Sequence, residues 1–460
     1  MRGSTKIQHR PYYPPTAGDR YGGPYICRLA PREDGFSFEW LDNSCNGVHT
    51  LYYGLRGADK KTALTLTAPT ADVGGLENGT EYEFYVEAEN GRRSCVRLLR
   101  TAPVPDGAVV INYLHPDDTQ YEFSGRYLCS PSVARVENGR LIAGMDLYGN
   151  RMAQNLTVLF YSDDDGKNWR YLTDLYPFYW GSLLYHCGVL YILGLTTEYG
   201  NLQIACSHDG GTTWSSPVNL FYGSNNQCPY GGMHRAPMHF TEHDGRLYTT
   251  CEYGCWTKNG SAHCPAILSI DADADLMIPE NWYCSDFMPF EGEWKKASGF
   301  RGDAIEGNIV IADDGQMYSY MRWKIGSLLR LRIDPENPEK APEFAGILEA
   351  PVSNSMFRLI PKKGGGYRMI TNRMTPVLET KKLSFSVRCV LSEFETDDLK
   401  HFRFVRDIFN YENDDPAKTG FQYPTFIDED GVLSLVIRTA YNGADNFHNS
   451  NYMLFYRMPD

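Results

Sequence analysis

The chain has 460 residues, 42% apolar and 13% aromatic, enough to bury one large core or two smaller ones. A formal charge of -13 without any Lys/Arg-rich run excludes wrapping nucleic acid or docking on anionic lipid. No stretch reaches the length of an apolar membrane span, so neither nucleic acid nor membrane is an expected partner.

Residues 1–21 are polar and rich in Pro and Tyr, with no hydrophobic signal core, which predicts a cytoplasmic location for the chain as given. Residues 22–105 follow with short alternating runs: Phe36-Ser-Phe-Glu-Trp40, Thr50-Leu-Tyr-Tyr-Gly54 and Tyr82-Glu-Phe-Tyr-Val-Glu-Ala88. Period-two alternation between turn residues predicts a small β-sandwich. The stretch from Leu76 to Val86 resembles the tyrosine-corner segment of fibronectin type III domains, and Trp40 falls where their core tryptophan would sit. Ala102-Pro-Val-Pro-Asp-Gly107 reads as a linker.

From residue 106 to 460 one rhythm recurs: an apolar run, a Gly turn, a second apolar run ending in a polar cluster, and a third strand leading to a hairpin. Six passes open near Ser130, Gly181, His234, Glu306, Ser355 and Gln422. Turns such as Glu137-Asn-Gly139, His243-Asp-Gly245, Asp313-Asp-Gly315 and Asp428-Glu-Asp-Gly431 hold the same place within their passes. The last pass is one strand short, and Val109-Val-Ile-Asn-Tyr113 can supply that strand and remove an exposed sheet edge. The fold class read from this is all-β, a six-bladed β-propeller behind a small sandwich.

Two segments, Ser162-Asp-Asp-Asp-Gly-Lys-Asn-Trp169 and Ser207-His-Asp-Gly-Gly-Thr-Thr-Trp214, share the pattern S-x-D-x-G-x-x-W. Ser and Asp bond back to the turn backbone, Gly takes a positive φ, and Trp closes the hairpin over apolar surface. The pattern resembles the Asp-box of sialidases and related propellers. It locates the fold and not the chemistry, so Asp164 and Asp209 are read as turn residues.

In such a ring the inner strands begin on one face, and the connections from second to third strands return to it. The strand starts contribute His234, Arg235, Glu306, Asn308, Arg358, Gln422 and Tyr423, and the second-strand ends contribute Asp146, Glu198, Glu252, Arg322, Arg373 and Arg438. A carboxylate at the entry to an inner strand, as at Glu306, is either paired with arginine or used for chemistry. Arginines, carboxylates and aromatic hydroxyls converging on one mouth suit a carbohydrate, an acidic sugar especially.

Over roughly three quarters of the chain the sequence resembles the sialidase superfamily, whose members use a glutamate-activated tyrosine nucleophile, an aspartate acid/base and an arginine clamp. By that resemblance Glu306 and Arg322 match the family's glutamate and second arginine, Arg373 the third arginine, and Tyr423 the nucleophile. The first blade departs, reading Cys129-Ser130-Pro131 where the family carries Arg-Ile-Pro. No aspartate lies between Gly149 and Phe160, which leaves Asp146 as the nearest carboxylate. The chain is more similar to sialidase-like bacterial proteins carrying Ser130-Pro-Ser132, Asp146-Leu-Tyr-Gly149, Glu198-Tyr-Gly-Asn201, His234-Arg-Ala-Pro237, Glu306-Gly-Asn308, Arg438-Thr-Ala-Tyr441 and His448-Asn-Ser-Asn-Tyr452.

The leading expectation is an exo-acting glycoside hydrolase. Asp146 or Glu252 would protonate the leaving oxygen, and Glu306 would act as base or with Tyr423 as nucleophile. His234, Arg235, Glu198, Asn308, Arg322, Arg373, Arg438, Tyr441 and His448 would bind the sugar. A uronic-acid lyase, with His234 or Tyr423 as base, and a non-catalytic glycan-binding propeller are the alternatives. The 12 cysteines lack paired metal-site spacing, Cys251, Cys255, His263 and Cys264 included. With no phosphate loop or dinucleotide fingerprint either, no cofactor and no metal are expected.

Overall fold

The computed structural model describes residues 22–459 apart from 224–230, 258–259, 262, 290–291, 293, 295, 297–303, 382 and 384–385. The expected N-terminal segment, 1–21, lies outside them. No helix among the described residues is long and apolar enough to cross a membrane.

The first unit is a sandwich of β1 (Tyr25–Arg32), β2 (Gly35–Leu41), β3 (His49–Leu55), β4 (Thr62–Leu66), β5 (Thr70–Val73), β6 (Glu81–Ala88) and β7 (Arg97–Arg100). One sheet runs β1-β2-β5, the other β4-β3-β6-β7. Strict alternation along β6 puts Tyr82, Phe84, Val86 and Ala88 inside and Glu81, Glu83 and Glu87 toward solvent. Phe84 packs against Phe36 and Phe38, with ring centroids 4.7 and 5.4 Å away. The Tyr82 hydroxyl accepts from the Glu77 N–H at 3.0 Å, fixing the corner before β6. Trp40 departs from its expected central place: it sits half-buried at the edge, over His49 with centroids 4.2 Å apart, and its indole donates to the Ala68 carbonyl.

The segment after β7 is no loose tether. Arg97, 1% exposed, donates to Asp118 at 2.6 Å and to the Ile26 carbonyl. Arg28 of β1 donates to the carbonyls of Val110 and Ile111 in β8 (Ala108–Tyr113). Glu39 accepts from the Tyr171 N–H at 2.9 Å, and the Tyr25 and Tyr121 hydroxyls meet at 2.6 Å. A buried ion pair carries a large desolvation cost, which is tolerable here because these polar atoms are hydrogen-bonded across the junction.

Beyond the junction, six antiparallel sheets of four or five strands follow one another among the described residues, with a small two-stranded ribbon besides. Their inner strands are Tyr127–Arg135, Tyr179–His186, Gly232–His234, Ile305–Ile311, Arg358–Pro361 and Gly420–Glu429. Their second strands are Leu141–Tyr148, Val189–Leu195, Arg246–Gly254, Met317–Lys324, Tyr367–Asn372 and Val432–Ala440. The sixth sheet has three strands of its own, and β8 pairs with the third, Tyr452–Arg457, as its outer strand. An apolar layer fills each gap between neighbours, for example Leu159 and Ile192 between the first two sheets. Met453 and Phe455 of the sixth pack on Phe160 and Trp169 of the first, so the succession of sheets closes on itself.

The two S-x-D-x-G-x-x-W segments form matching hairpins. Ser162 Oγ accepts from the Gly166 N–H and donates to Asp164, which accepts from the Asn168 N–H, and the Trp169 indole donates to the Gly166 carbonyl. Ser207, Asp209, Gly211, Thr213 and Trp214 repeat this. Gly166 has φ +83°, and a Cβ there would lie 2.1 Å from Phe455, so glycine is required twice over. Both hairpins join third to fourth strands, at the ends of the sheets away from where the inner strands begin.

Candidate active site

Where the inner strands begin, a cavity of about 420 Å3 opens. Four of its lining residues share one backbone device. Ser130, Trp180, Glu306 and Tyr423 have φ of 50°, 53°, 62° and 54°, and each lies in a register break between inner and second strand. A bulge with a left-handed residue re-aims a side chain that the pleat would otherwise send into the sheet stack. Such strain costs about 1–3 kcal/mol per residue and persists where the surroundings over-determine it. At Glu306 the next residue must be small, because a Cβ on Gly307 would come within 2.3 Å of Ser319 Oγ.

Two of these bulges bring Tyr423 and Glu306 together. The Tyr423 hydroxyl donates to Glu306 Oε1 at 2.7 Å, and Arg322 Nη1 donates to both Glu306 oxygens, at 3.2 and 3.0 Å, and to the Tyr423 oxygen at 2.8 Å. Burial and the Glu306 charge push the Tyr423 phenol above its ordinary range, while Arg322, Arg388 and Arg438 pull it back. Arg438 lines the cavity, with its guanidinium 5.2 Å from the Tyr423 ring centre. Its Nε and Nη2 are engaged by Ser450 and the His448 carbonyl. Arg438 Nη1 makes no hydrogen bond among the described residues.

On another wall, His234 Nδ1 meets Glu252 at 2.8 Å, and the other Glu252 oxygen accepts from the Glu306 N–H at 3.0 Å. That contact holds the His234 ring in place where it lines the cavity. Trp180, Tyr199 and Trp256 add aromatic faces, Trp256 being 47% exposed at the rim. Glu198 also lines the cavity, accepting from Gln154 Nε2 at 2.6 Å, and burial raises its carboxyl above the usual range. His448 lines the cavity beside Arg438, its imidazole held well below its ordinary pKa by burial and by that neighbour.

Several expected residues are placed elsewhere. Asp146 and Glu252, expected to protonate the leaving group, stand behind the wall, with exposures of 0% and 1%. Asp146 accepts from Thr157 Oγ1 and, at 2.6 Å, from the Trp180 N–H, so it fixes a bulge; burial pushes its pKa up to about 7. Arg235 is one residue past His234, so alternation turns it away from the cavity to Ser182, Thr249 and the Met238 carbonyl. Asn308 lies beyond the Glu306 bulge and ties the Phe357 carbonyl and Leu359 N–H of the next sheet. Arg373 runs outward to Asp407, with two contacts of 2.8 Å, and Tyr441 packs against Tyr411 and Phe421.

Arg388 takes the place expected of Arg373 beside Tyr423, its guanidinium 5.6 Å from the ring centre. It lies two residues before the third strand of its sheet, Val390–Thr396, whereas Arg373 directly follows the second, Tyr367–Asn372. The helix Pro376–Thr380 lies between them, and that insertion hides the position from a count along the chain. Ser130, Trp180 and Gln154 were also missed; a positive φ in a non-glycine residue leaves no mark in composition.

No protein-family model matches the chain, and no curated protein does. Among solved structures it is similar to an alpha-L-arabinanase of Penicillium chrysogenum complexed with arabinobiose, with 14% identity over 77% of this chain and 98% of that one and a TM-score of 0.49. It is similar to a Hadza microbial sialidase, with 12% identity over 95% and 93% and a TM-score of 0.49. It is similar to a polysaccharide lyase, an ulvan lyase, with 12% identity over 82% and 87% and a TM-score of 0.45.

Proposed function

We propose that the cavity is the active site of an exo-acting glycoside hydrolase that removes a terminal sugar from a glycan or oligosaccharide. The observation that carries this is the 2.7 Å bond from Tyr423 to Glu306 at the cavity wall. A neutral phenol is a weak nucleophile, and a carboxylate in hydrogen-bond contact can take its proton as the oxygen attacks. The Tyr423 oxygen then bonds to the anomeric carbon. The glycosidic bond breaks with its electron pair going to the leaving oxygen, which takes a proton from Glu198. Glu198 is the cavity-lining carboxyl whose affinity for a proton is raised by burial, as a general acid requires. Water activated by the resulting Glu198 carboxylate releases the sugar, and the Glu306 proton returns to the phenol.

The aromatic wall of Trp180, Tyr199 and Trp256 suits stacking on a sugar face, and a cavity of this size suits one terminal residue. An acidic sugar would set its carboxylate on Arg438. We read the closed ring as a six-bladed propeller spanning 106–460, related to the Asp-box sialidase-like proteins. Residues 22–105 are read as a fibronectin type III-like module, a reading supported by their sheet order and the Tyr82 corner. The test is a panel of acidic and neutral oligosaccharides, with released monosaccharide and ultraviolet absorbance followed for the native protein and Glu306→Gln. Release lost in the variant supports the reading, an unsaturated uronide replaces it with a lyase, and binding without turnover replaces it with a lectin.

A further inference from the structure

We propose that Arg388 is a positioning residue that acts on the Tyr423 phenol from behind the ring, favouring negative charge on its oxygen, and does not bind the substrate. The proposal rests on the reading of Tyr423 as the attacking group. Three observations lead to it.

The first is access. Tyr423 lines the cavity and Arg388 does not, so a sugar in the cavity meets the phenol before the guanidinium beyond it. The guanidinium lies between two rings, 5.6 Å from the centre of Tyr423 and 5.4 Å from that of Phe447.

The second is partnership. Nη1 donates to Gln422 Oε1 and Nη2 to the Asn354 carbonyl, both uncharged. Among the described residues Arg388 makes no ion pair. Burial lowers its pKa to about 10, so it keeps its charge at neutral pH. A buried cation held only by neutral acceptors is stabilised by any negative charge that develops nearby.

The third is the charge balance around the phenol. The groups facing Tyr423 are Glu306 and Arg322 from the fourth sheet, Arg388 from the fifth and Arg438 from the sixth, that is, one carboxylate among three guanidinium groups. His448, whose proton affinity is depressed, adds no lasting positive charge at neutral pH. Arg322 is bonded to Glu306 and to the phenol oxygen, and Arg438 reaches the cavity. Arg388 is the member of the trio left without a carboxylate and without a route to substrate. Beyond the fixed charge of Glu306, which Arg322 already pairs, the negative charge that Arg388 meets is the one that grows on the Tyr423 oxygen during attack.

The test replaces Tyr423 by difluorotyrosine, whose phenol ionises where the protein is folded, and follows its titration by fluorine NMR without substrate. Arg388→Met should raise the midpoint by about one pH unit, roughly tenfold in proton affinity, and Arg388→Lys should restore most of the shift. Arg388→Gln, which can still donate a hydrogen bond, serves if the Met variant does not fold. An unchanged midpoint in the folded uncharged variants overturns the proposal. Since no substrate is involved, this result is independent of whether the protein hydrolyses glycosides. If it does, kcat should fall in Arg388→Met with KM unchanged for neutral and acidic glycosides alike. A rise in KM confined to acidic glycosides would make Arg388 a substrate ligand and overturn the proposal.

Discussion

Tyr423 and Glu306 are 117 residues apart in the chain, yet the phenol donates to the carboxylate at 2.7 Å. They meet because each is the left-handed residue of an inner-strand bulge, one in the sixth sheet and one in the fourth. The pair therefore joins the fourth and sixth sheets at the cavity.

Removing either partner should abolish turnover without emptying the cavity. Glu306→Gln and Tyr423→Phe are expected to lower kcat by about 10²–10⁴-fold, the usual scale for losing a positioned proton acceptor, and the nucleophile's loss should lie at the upper end. Sugar affinity, read by tryptophan fluorescence, should stay within a few-fold because Trp180 and Trp256 remain.

Glu198 is assigned the leaving-group proton, and its replacement should show it by leaving-group dependence. Glu198→Gln should cost about 10²–10⁴-fold on natural glycosides and far less on an activated aryl glycoside whose phenolate needs no proton. Equal losses on both substrates would assign Glu198 to binding.

Asp146 predicts a pH dependence of stability. Its folded pKa of about 7 lies above the ordinary 3.8, so between those values the folded protein holds a proton that the unfolded chain has released. The contribution of this group is therefore full below the ordinary pKa and is lost as pH rises toward about 7. Asp146→Asn should remove that slope, so native and variant diverge as pH rises, by at most about 1.4 kcal/mol per pH unit within the window. Chemical denaturation across it measures the divergence.

The distant hairpin offers the converse control. Gly166→Ala combines a positive φ with a Cβ in contact with Phe455, and should destabilise by about 1–3 kcal/mol without changing kcat. A thermal melt and an assay of the same preparation check both halves.

Much of the ring was legible in the sequence. The S-x-D-x-G-x-x-W hairpins carry their own hydrogen-bond chemistry, and Val109 to Tyr113 is an apolar run with no other sheet to join. Glu306, Tyr423, Arg322 and Arg438 were legible because they interrupt apolar strands. Arg235 and Asn308 were not separable from them, because one step along a strand or past a bulge reverses the face a side chain takes. Asp146 and Glu252 look like acids in sequence, and only their enclosure by Trp180, His234 and the Glu306 backbone makes them supports. Arg388 was hidden by the insertion between second and third strands of its sheet.

The central claim is that Tyr423 attacks a glycoside with Glu306 as its base. The most direct measurement is mass spectrometry of the protein quenched during turnover of a slow-deglycosylating fluorosugar substrate chosen from the active members of the panel. A glycosyl adduct on the peptide containing Tyr423, absent in Tyr423→Phe, is the predicted result. Turnover with no adduct there, or with an adduct on another residue, would contradict it.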